Sequence, residues 1–449
     1  MWGDALEPAI DIARRGDVEY IGFDFLAELT MSMLHRLKRR NPELGYATDV
    51  VPWLRALLPI TRERDIRIIT NAGGANSPAA AAAIASMARE LGFTGTKIGI
   101  VNTDELRDEL AEIAADGWDF VNLDTGEVGL DRIANQIVAA DVYTGADGII
   151  ECLAGDADVV LTGRASDNAL YVGPIMHEYG WQFDDHHVDR IAASITAGHI
   201  IECGCCCTGG MSSQWKDVPE PWRLGYPIAE VARDGEITIT KLPETGGLVN
   251  EWTVKEHLVY EVLNPSRYVM PDGVADFTSL AIDDLGDDRV QVTGARGLGR
   301  PDELKLMIGF EDGWIGEGLV LFPWPDPHER AQRAEEILRG RFRETGAEIE
   351  ELDITYLGVN TLGGATSPEP TGEMNEVGLR VAARTRTRDA ADAVRRECTH
   401  LWVMGPVGTA FGVPFRPRPV ISLWPTLVPR DVVRETTSVV DIAAAELVP

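Results

Sequence analysis

The sequence of 449 residues has few basic side chains relative to its acidic ones, and it has no long apolar run. Its 41 Lys and Arg residues stand against 72 Asp and Glu residues, and the resulting formal net charge of −31 would repel a phosphate backbone. No segment approaches the roughly 18 consecutive apolar residues of a membrane-spanning helix. We therefore expect neither nucleic acid nor a membrane as a partner, and we attribute the acidity to solubility.

Cysteine is scarce, and its distribution does not fit a disulfide framework. Four of the six cysteines are crowded between residues 203 and 207 instead of being spaced along the chain. The first residues carry acids before the basic pair Arg14 and Arg15 and contain no continuous apolar core, unlike a secretory signal. Both observations predict a cytoplasmic protein.

Two common catalytic motifs are also missing. No Gly-x-Ser-x-Gly elbow marks a nucleophilic serine, and no Gly-x-Gly-x-x-Gly loop opens a helix. These absences disfavour a lipase-type hydrolase and a typical dehydrogenase.

The order of predicted elements indicates an α/β fold. Helical and strand patterns alternate up to residue 161, and short β-branched runs bounded by turns, such as Ile66–Thr70, are typical of buried parallel strands. This alternation predicts an N-terminal lobe, residues 1–214, with a mainly parallel sheet and helices on both faces. Shorter alternating runs predict a β-rich middle insert, residues 215–327, and mixed patterns predict an α+β C-terminal lobe, residues 328–449.

The loop Thr70–Pro78, between a predicted strand and a predicted helix, is a candidate binding segment. Its glycines allow the backbone to approach a ligand, and free amides together with the helix dipole favour an anion. The candidate substrate-binding residues are Asn71, Gly73, Gly74 and Asn76. A tight connection that needs its glycines only for steric reasons is the alternative.

A second loop at a predicted strand end, Leu161–Asn168, contains Arg164 and Asp167. Arg164 can clamp a carboxylate or phosphate, and Asp167 can move a proton. The alternative is an ion pair between the two side chains that only stabilises the loop. Because parallel strands present their carboxyl ends to one edge, we expect both loops to line one pocket, with Asp24 facing it from the first strand.

The segment His199–Gly210 combines a base, an acid, thiols and a glycine pair. His199 and Glu202 are candidates for proton transfer, and Cys203 is a candidate nucleophile if its surroundings favour the thiolate. Buried, unreactive cysteines are the alternative. Because the cysteines are nearly contiguous and no second cysteine pair follows, we predict no metal site.

Several unusual blocks in one chain make it resemble the acyclic terpene utilisation (AtuA-type) family. The blocks are GDALEPAIDIARRGDVEYIGFDFLAELTM, RIITNAGGANSPAAAAAIA, LTGRASDNALYVGPIMHEYGW and AGHIIECGCCCTGG, and the likeness covers about residues 2–362. The resemblance implies an enzyme that breaks down branched-chain or terpenoid acids as CoA thioesters, through hydratase or carbon–carbon lyase chemistry. That chemistry needs an oxyanion cradle and a nearby acid or base, such as Asp167, Glu202 or His199.

The chain departs from the family pattern in two places. Relatives begin with an extra strand and a glycine-rich loop before the equivalent of Gly3 and Asp4, so the resemblance implies a shortened start. An Arg-Ser-Gly-Asp-Lys-Gly type motif, which some relatives carry on a small fused or separate domain, is absent. The second departure implies a small partner subunit. It also leaves a non-catalytic scaffold subunit open as an alternative function, beside a thiol-dependent hydrolase.

We expect a small anionic substrate, with coenzyme A as its carrier and without a protein-bound cofactor. We also expect a homo-oligomer, because the apolar stretches Leu319–Pro325 and Leu401–Gly408 offer surface to bury. The alternative is that both stretches belong to the core.

Overall fold

The computed structural model describes residues 2–103, 105–370, 372–412 and 415–442. Over these ranges the chain is a mixed α/β protein with eleven α-helices and several sheets, some of them parallel, which confirms the predicted class. The chain divides into two compact units. The first comprises residues 1–309 and 423–449, and the second comprises residues 310–422. The three-segment division expected from the residue patterns stays a prediction.

The residue patterns of the N-terminal part predict helices over residues 8–15, 30–39, 50–63, 78–91 and 104–115, and the structure has helices close to these bounds with one exception. The helix expected from Asp104 to Ala115 begins only at Leu110, and Asp104 lies outside the described residues. None of the helices in the described ranges is long and apolar enough to cross a membrane. The helices are α1 (Glu7–Arg15), α2 (Glu28–Arg40), α3 (Val50–Arg64), α4 (Ser77–Glu90), α5 (Leu110–Ala115), α6 (Asp147–Ala154), α7 (Ala169–Tyr179), α8 (Val188–Ile201), α9 (Glu251–Leu258), α10 (Pro327–Thr345) and α11 (Arg388–Met404).

The strands form one sheet with parallel neighbours and several antiparallel ones. They are β1 (Tyr20–Phe23), β2 (Arg67–Thr70), β3 (Lys97–Thr103), β4 (Ile137–Val142), β5 (Val159–Thr162), β6 (Pro227–Val231), β7 (Ile237–Lys241), β8 (Tyr268–Met270), β9 (Gly273–Asp276), β10 (Ala281–Gly286), β11 (Arg289–Thr293), β12 (Arg296–Leu298), β13 (Glu303–Pro323), β14 (Glu351–Leu357), β15 (Glu376–Thr385), β16 (Ala410–Phe411), β17 (Arg418–Pro429) and β18 (Glu435–Asp441).

A five-stranded sheet in the first unit positions the candidate site. Its order is β1-β2-β5-β3-β18, in which the first four strands are parallel and β18 runs antiparallel to β3. Phe23 pairs with Thr70, and Thr70 pairs with Leu161, so β1, β2 and β5 end at one edge. The return of residues 435–441 to this sheet was not foreseen from the sequence.

Both faces of the five-stranded sheet are covered by apolar side chains. On β2, Ile68 packs in a cluster that includes Leu54 of α3, whereas Ile69 packs in a different cluster with Ile149 of α6 and Leu170 of α7. Successive side chains of a strand point to opposite faces, so a strand buried on both sides is apolar throughout. This burial explains the consecutive apolar residues Ile68 and Ile69 in β2 and residues 159–161 in β5.

The middle of the chain and the second unit form antiparallel sheets. Strands β10, β11, β7 and β6 are consecutive neighbours in one sheet, and β12, β9 and β8 in another. In the second unit, β15 lies between β14 and β13, and its apolar residues pack with Leu338 of α10 and Val394 of α11. Each helix covers a sheet with one apolar face, as amphipathic helices do.

Candidate active site

Three strand ends place polar side chains at the same edge of the five-stranded sheet. Asp24 directly follows β1, Asn71 directly follows β2, and Arg164 lies two residues after β5. The Asn71 side chain donates from Nδ2 to Oδ1 of Asp24 at 2.5 Å, and its Oδ1 accepts the backbone N–H of Phe25 at 2.8 Å. Asn71 therefore orients Asp24.

The carboxyl group of Asp24 lies in crowded, partly desolvated surroundings. Burial raises the pKa of Asp24 to about 6, and the negative charge of Asp167 adds to the rise. Arg164 and the hydrogen bond from Asn71 act in the opposite direction.

The glycine-rich loop after β2 is tightly packed. A Cβ at Gly73 would lie 2.5 Å from the carbonyl oxygen of Thr162, and a Cβ at Gly74 would lie 2.4 Å from the Leu34 side chain. Gly74 also has a φ of +51°, a conformation that favours glycine. The glycines are thus required for steric reasons, as in the alternative explanation of this loop, a tight connection between strand and helix.

Most amides of this loop already have acceptors inside the protein. Asn76 uses its side-chain amide to bind the carbonyls of Pro42 and Leu44 at 2.8 and 2.7 Å. The backbone N–H groups with internal acceptors are those of Ala72, Gly74, Ala75 and Asn76. Substrate binding by Gly73, Gly74 and Asn76 stays a prediction.

Arg164 is only 1% exposed, and its guanidinium makes several internal contacts. Nη1 donates to Oδ1 of Asp167 at 2.7 Å and to the carbonyls of Leu26 and Ala165 at 3.4 and 3.3 Å. The guanidinium also lies 4.1 Å from the ring centre of Tyr143. Although burial disfavours its charge, Asp167 and Tyr143 hold the pKa of Arg164 well above its usual value. The ion pair anticipated as an alternative is therefore present, and it positions Asp167.

Glu202 completes a group of three carboxylates, which we call the carboxylate triad. One carboxylate oxygen from each of Asp24, Asp167 and Glu202 lies within 4.8 Å of the others. Glu202 directly follows α8, and burial together with the charges of Asp167 and Asp24 raises its pKa well above the usual range. Three segments that are far apart in sequence thus converge at one point.

Two tyrosines and His199 lie near the triad. Burial and the charge of Glu202 raise the pKa values of Tyr171 and Tyr268, so both hydroxyl groups stay protonated at neutral pH. The hydroxyl of Tyr268 lies 3.2 Å from Nδ1 of His199, whose Nε2 lies 3.2 Å from a backbone carbonyl oxygen. Burial lowers the pKa of His199 to about 4. His199 is thus a neutral contact of Tyr268.

A cleft of about 520 Å³ opens beside the triad and has a size suited to a small organic ligand. Asp24 and Glu202 line it together with apolar side chains such as Phe23, Trp53 and Leu170. Its other acidic lining residues are Asp4, Asp17, Glu19, Glu178 and Glu230, and no lysine or arginine of the described chain lines it. Such a lining favours an apolar group or a cation over an anion.

A family model described as acyclic terpene utilisation family protein AtuA matches residues 1–439. The chain belongs to the AtuA family. The match confirms the resemblance seen in the sequence and extends it beyond residue 362. No curated protein and no solved structure matches the chain.

In this AtuA-family chain, the cysteine segment forms a short 3₁₀ turn, Gly204–Thr208, directly after Cys203. All six cysteines are free thiols. Burial raises the pKa of Cys207, which suits an unreactive thiol. A hydrogen bond between Cys203 and Cys206 raises the pKa of the first thiol and lowers that of the second.

Three residues near the triad, Tyr171, Tyr268 and His257, were not identified from the sequence. A ring nitrogen of His257 lies within 4.8 Å of a carboxylate oxygen of Glu202. Tyr171 lies four residues after Asp167 at the start of α7, so helical spacing from Asp167 would have identified it. Tyr268 and His257 lie on β8 and α9. No local pattern connects those two residues with the strand-end loops.

Proposed function

We propose that the protein is a hydratase or lyase that acts on a branched, acyclic acyl thioester, with the carboxylate triad as its proton-transfer groups. Membership of the AtuA family implies a role in acyclic terpene utilisation, which is consistent with a catabolic function. The observation that carries the proposal is the convergence of Asp24, Asp167 and Glu202 within 4.8 Å beside a partly apolar cleft.

The geometry of the triad suits the addition or removal of water across a carbon–carbon double bond. Hydration requires one group that accepts a proton from water and a second that delivers a proton to carbon. Two carboxyl groups of the triad can divide these tasks, and Arg164 acts as a positioning residue through its bond to Asp167. The hydroxyl group of Tyr171 lines the cleft and donates at 3.5 Å to the carbonyl oxygen of Gly22, and it can donate instead to negative charge on the thioester oxygen.

The lining of the cleft favours the acyl part of such a substrate over its carrier. A volume of about 520 Å³ accommodates a branched hydrocarbon chain, and the apolar side chains of Phe23, Trp53 and Leu170 can contact it. The acidic lining repels phosphate groups, so we place the anionic coenzyme A portion outside the cleft. The anionic group that we expected from the sequence is then the coenzyme A carrier of the substrate.

The test is turnover of a panel of branched, unsaturated acyl-CoA thioesters by the purified chain alone, followed by mass spectrometry. We expect the gain of one water or carbon–carbon cleavage in at least one thioester. Asp24→Asn and Asp167→Asn should each lower turnover by about 10²-fold to 10⁴-fold, the usual contribution of a proton-transfer group. Asp11→Asn, which changes a half-exposed acid on α1, is the matched control for the loss of charge.

Three outcomes would contradict this proposal. Full activity of both Asp24→Asn and Asp167→Asn would remove the triad from the mechanism. Release of free coenzyme A without hydration would indicate a thioester hydrolase. Absence of turnover across the whole panel would favour a scaffold subunit.

A further inference from the structure

A buried histidine nitrogen without a hydrogen-bond partner lies close to the triad. The side chain of His257, on α9, is 4% exposed, and its Nε2 has no hydrogen-bond partner in the described part of the protein. Buried polar atoms nearly always have a partner, so an unpartnered nitrogen calls for an explanation. A bound ligand that contacts this nitrogen is one such explanation.

The surroundings of His257 resemble those of a metal-binding histidine. One ring nitrogen of His257, Sγ of Cys203 and a carboxylate oxygen of Glu202 lie within 4.8 Å of one another. The ring also interacts with the backbone of His199, and because Nε2 has no hydrogen-bond partner in the described part of the protein, we assign this interaction to Nδ1. Metal-binding histidines commonly donate their second ring nitrogen to a carbonyl in this way.

We propose that Glu202, Cys203 and His257 bind a zinc ion, and that the thiol proton of Cys203 is released to solvent when the zinc–sulfur bond forms. Nitrogen, thiolate sulfur and carboxylate oxygen together suit zinc, whereas magnesium and calcium prefer oxygen alone. Three protein ligands leave a fourth position open, as in catalytic zinc sites. Ligand atoms around tetrahedral zinc lie about 3.5 Å apart, so atoms that lie within 4.8 Å of one another have to approach by no more than about 1 Å when the ion binds.

Two further observations favour a cation at this position. Glu202 belongs both to this group and to the triad, and it lines the acidic cleft, where a divalent cation would offset the negative charge. The triad alone is a weaker metal site, because Asp24 and Asp167 are already bonded to Asn71 and Arg164. A zinc ion would supply Lewis-acid chemistry to the proposed reaction, but its binding does not depend on that reaction.

Metal binding can be measured without turnover. Untagged protein, dialysed against a chelator, is titrated with Zn²⁺ alone and analysed for zinc by mass spectrometry, and a parallel sample is loaded with Co²⁺ for absorption spectroscopy. We expect one zinc ion per chain and a thiolate-to-cobalt charge-transfer band. His257→Gln and Cys203→Ser should weaken zinc binding at least about tenfold, since even the loss of an outer-shell partner costs that much. Cys205→Ser and His187→Gln are the matched controls.

The proposal is overturned if wild-type protein binds no zinc, or if both ligand variants bind zinc as tightly as the controls do. Selective binding of Mg²⁺ would point to the all-oxygen triad instead and would also overturn it. Circular dichroism checks that each variant folds. If His257→Gln does not fold, the charge-transfer band of the wild type and its loss in Cys203→Ser decide the question.

Discussion

Asp272 provides a sharp test of how burial controls charge in this fold. The residue is 1% exposed, and Oδ1 accepts the backbone N–H of Ala146 at 2.8 Å. Its Oδ2 has no hydrogen-bond partner among the residues that the structure describes. Burial raises the pKa of Asp272 from 3.8 to about 6. Ionisation of this carboxyl group therefore destabilises the folded protein.

The size of this effect follows from the two pKa values. The folded protein holds the proton more tightly than the unfolded chain does, so stability is highest below the unfolded pKa and falls as the pH rises through about 6. The full loss of folding stability on ionisation is about 3 kcal/mol, and about 1.5 kcal/mol of this loss occurs between about pH 5 and about pH 8. This range lies above the isoelectric point of 4.6.

The measurement compares urea unfolding of the wild type and Asp272→Asn across that pH range. An amide does not titrate, so the free energy of unfolding of the variant, relative to the wild type, should rise by about 1.5 kcal/mol towards high pH. The free-energy cost of burying the amide is the same at every pH, so it does not affect how the difference between variant and wild type changes with pH. Asp108→Asn, at a highly exposed acid, controls for the change in net charge. A difference that stays constant, or that falls with pH, would refute the reasoning.

Two further predictions concern packing and assembly. A Cβ at Gly22 would lie 2.5 Å from the Tyr171 ring, so Gly22→Ala should lower the free energy of unfolding by about 1–3 kcal/mol. Gly299→Ala, where a Cβ meets nothing within 4 Å, is the control, and equal stability of the two variants would contradict the packing argument. Val403 and Val407, near the end of α11, are 86% and 81% exposed, so light scattering should give a mass above the 49.0 kDa of one chain, and Val403→Glu should reduce it. A monomeric wild type would contradict the expected homo-oligomer.

Local patterns in the sequence were sufficient to predict many elements. The β-branched run at Ile66–Thr70 became β2, and the alternation of helical and strand patterns up to residue 161 became the helices and strands from α1 to β5. These features depend on the periodicity of neighbouring residues, which the sequence displays directly. The pairing of residues 435–441 with β3 depends on contacts between distant segments, which no local pattern encodes.

For the candidate site, the sequence by itself determined which side chains stand at the strand ends. Asp24, Asn71 and Arg164 meet at one edge because parallel strands present their carboxyl ends together, a rule that applies before any coordinates are known. Only the tertiary structure decided that Glu202 joins them and that His257 approaches Cys203. The packing of α8 against α7 places Glu202, and the packing of α8 against α9 places His257. Such packing depends on the shapes of side chains that are remote in sequence. The spacing of the cysteines, from which we predicted no metal site, carries no information about a histidine on another helix, so the absence of a metal site stays a prediction.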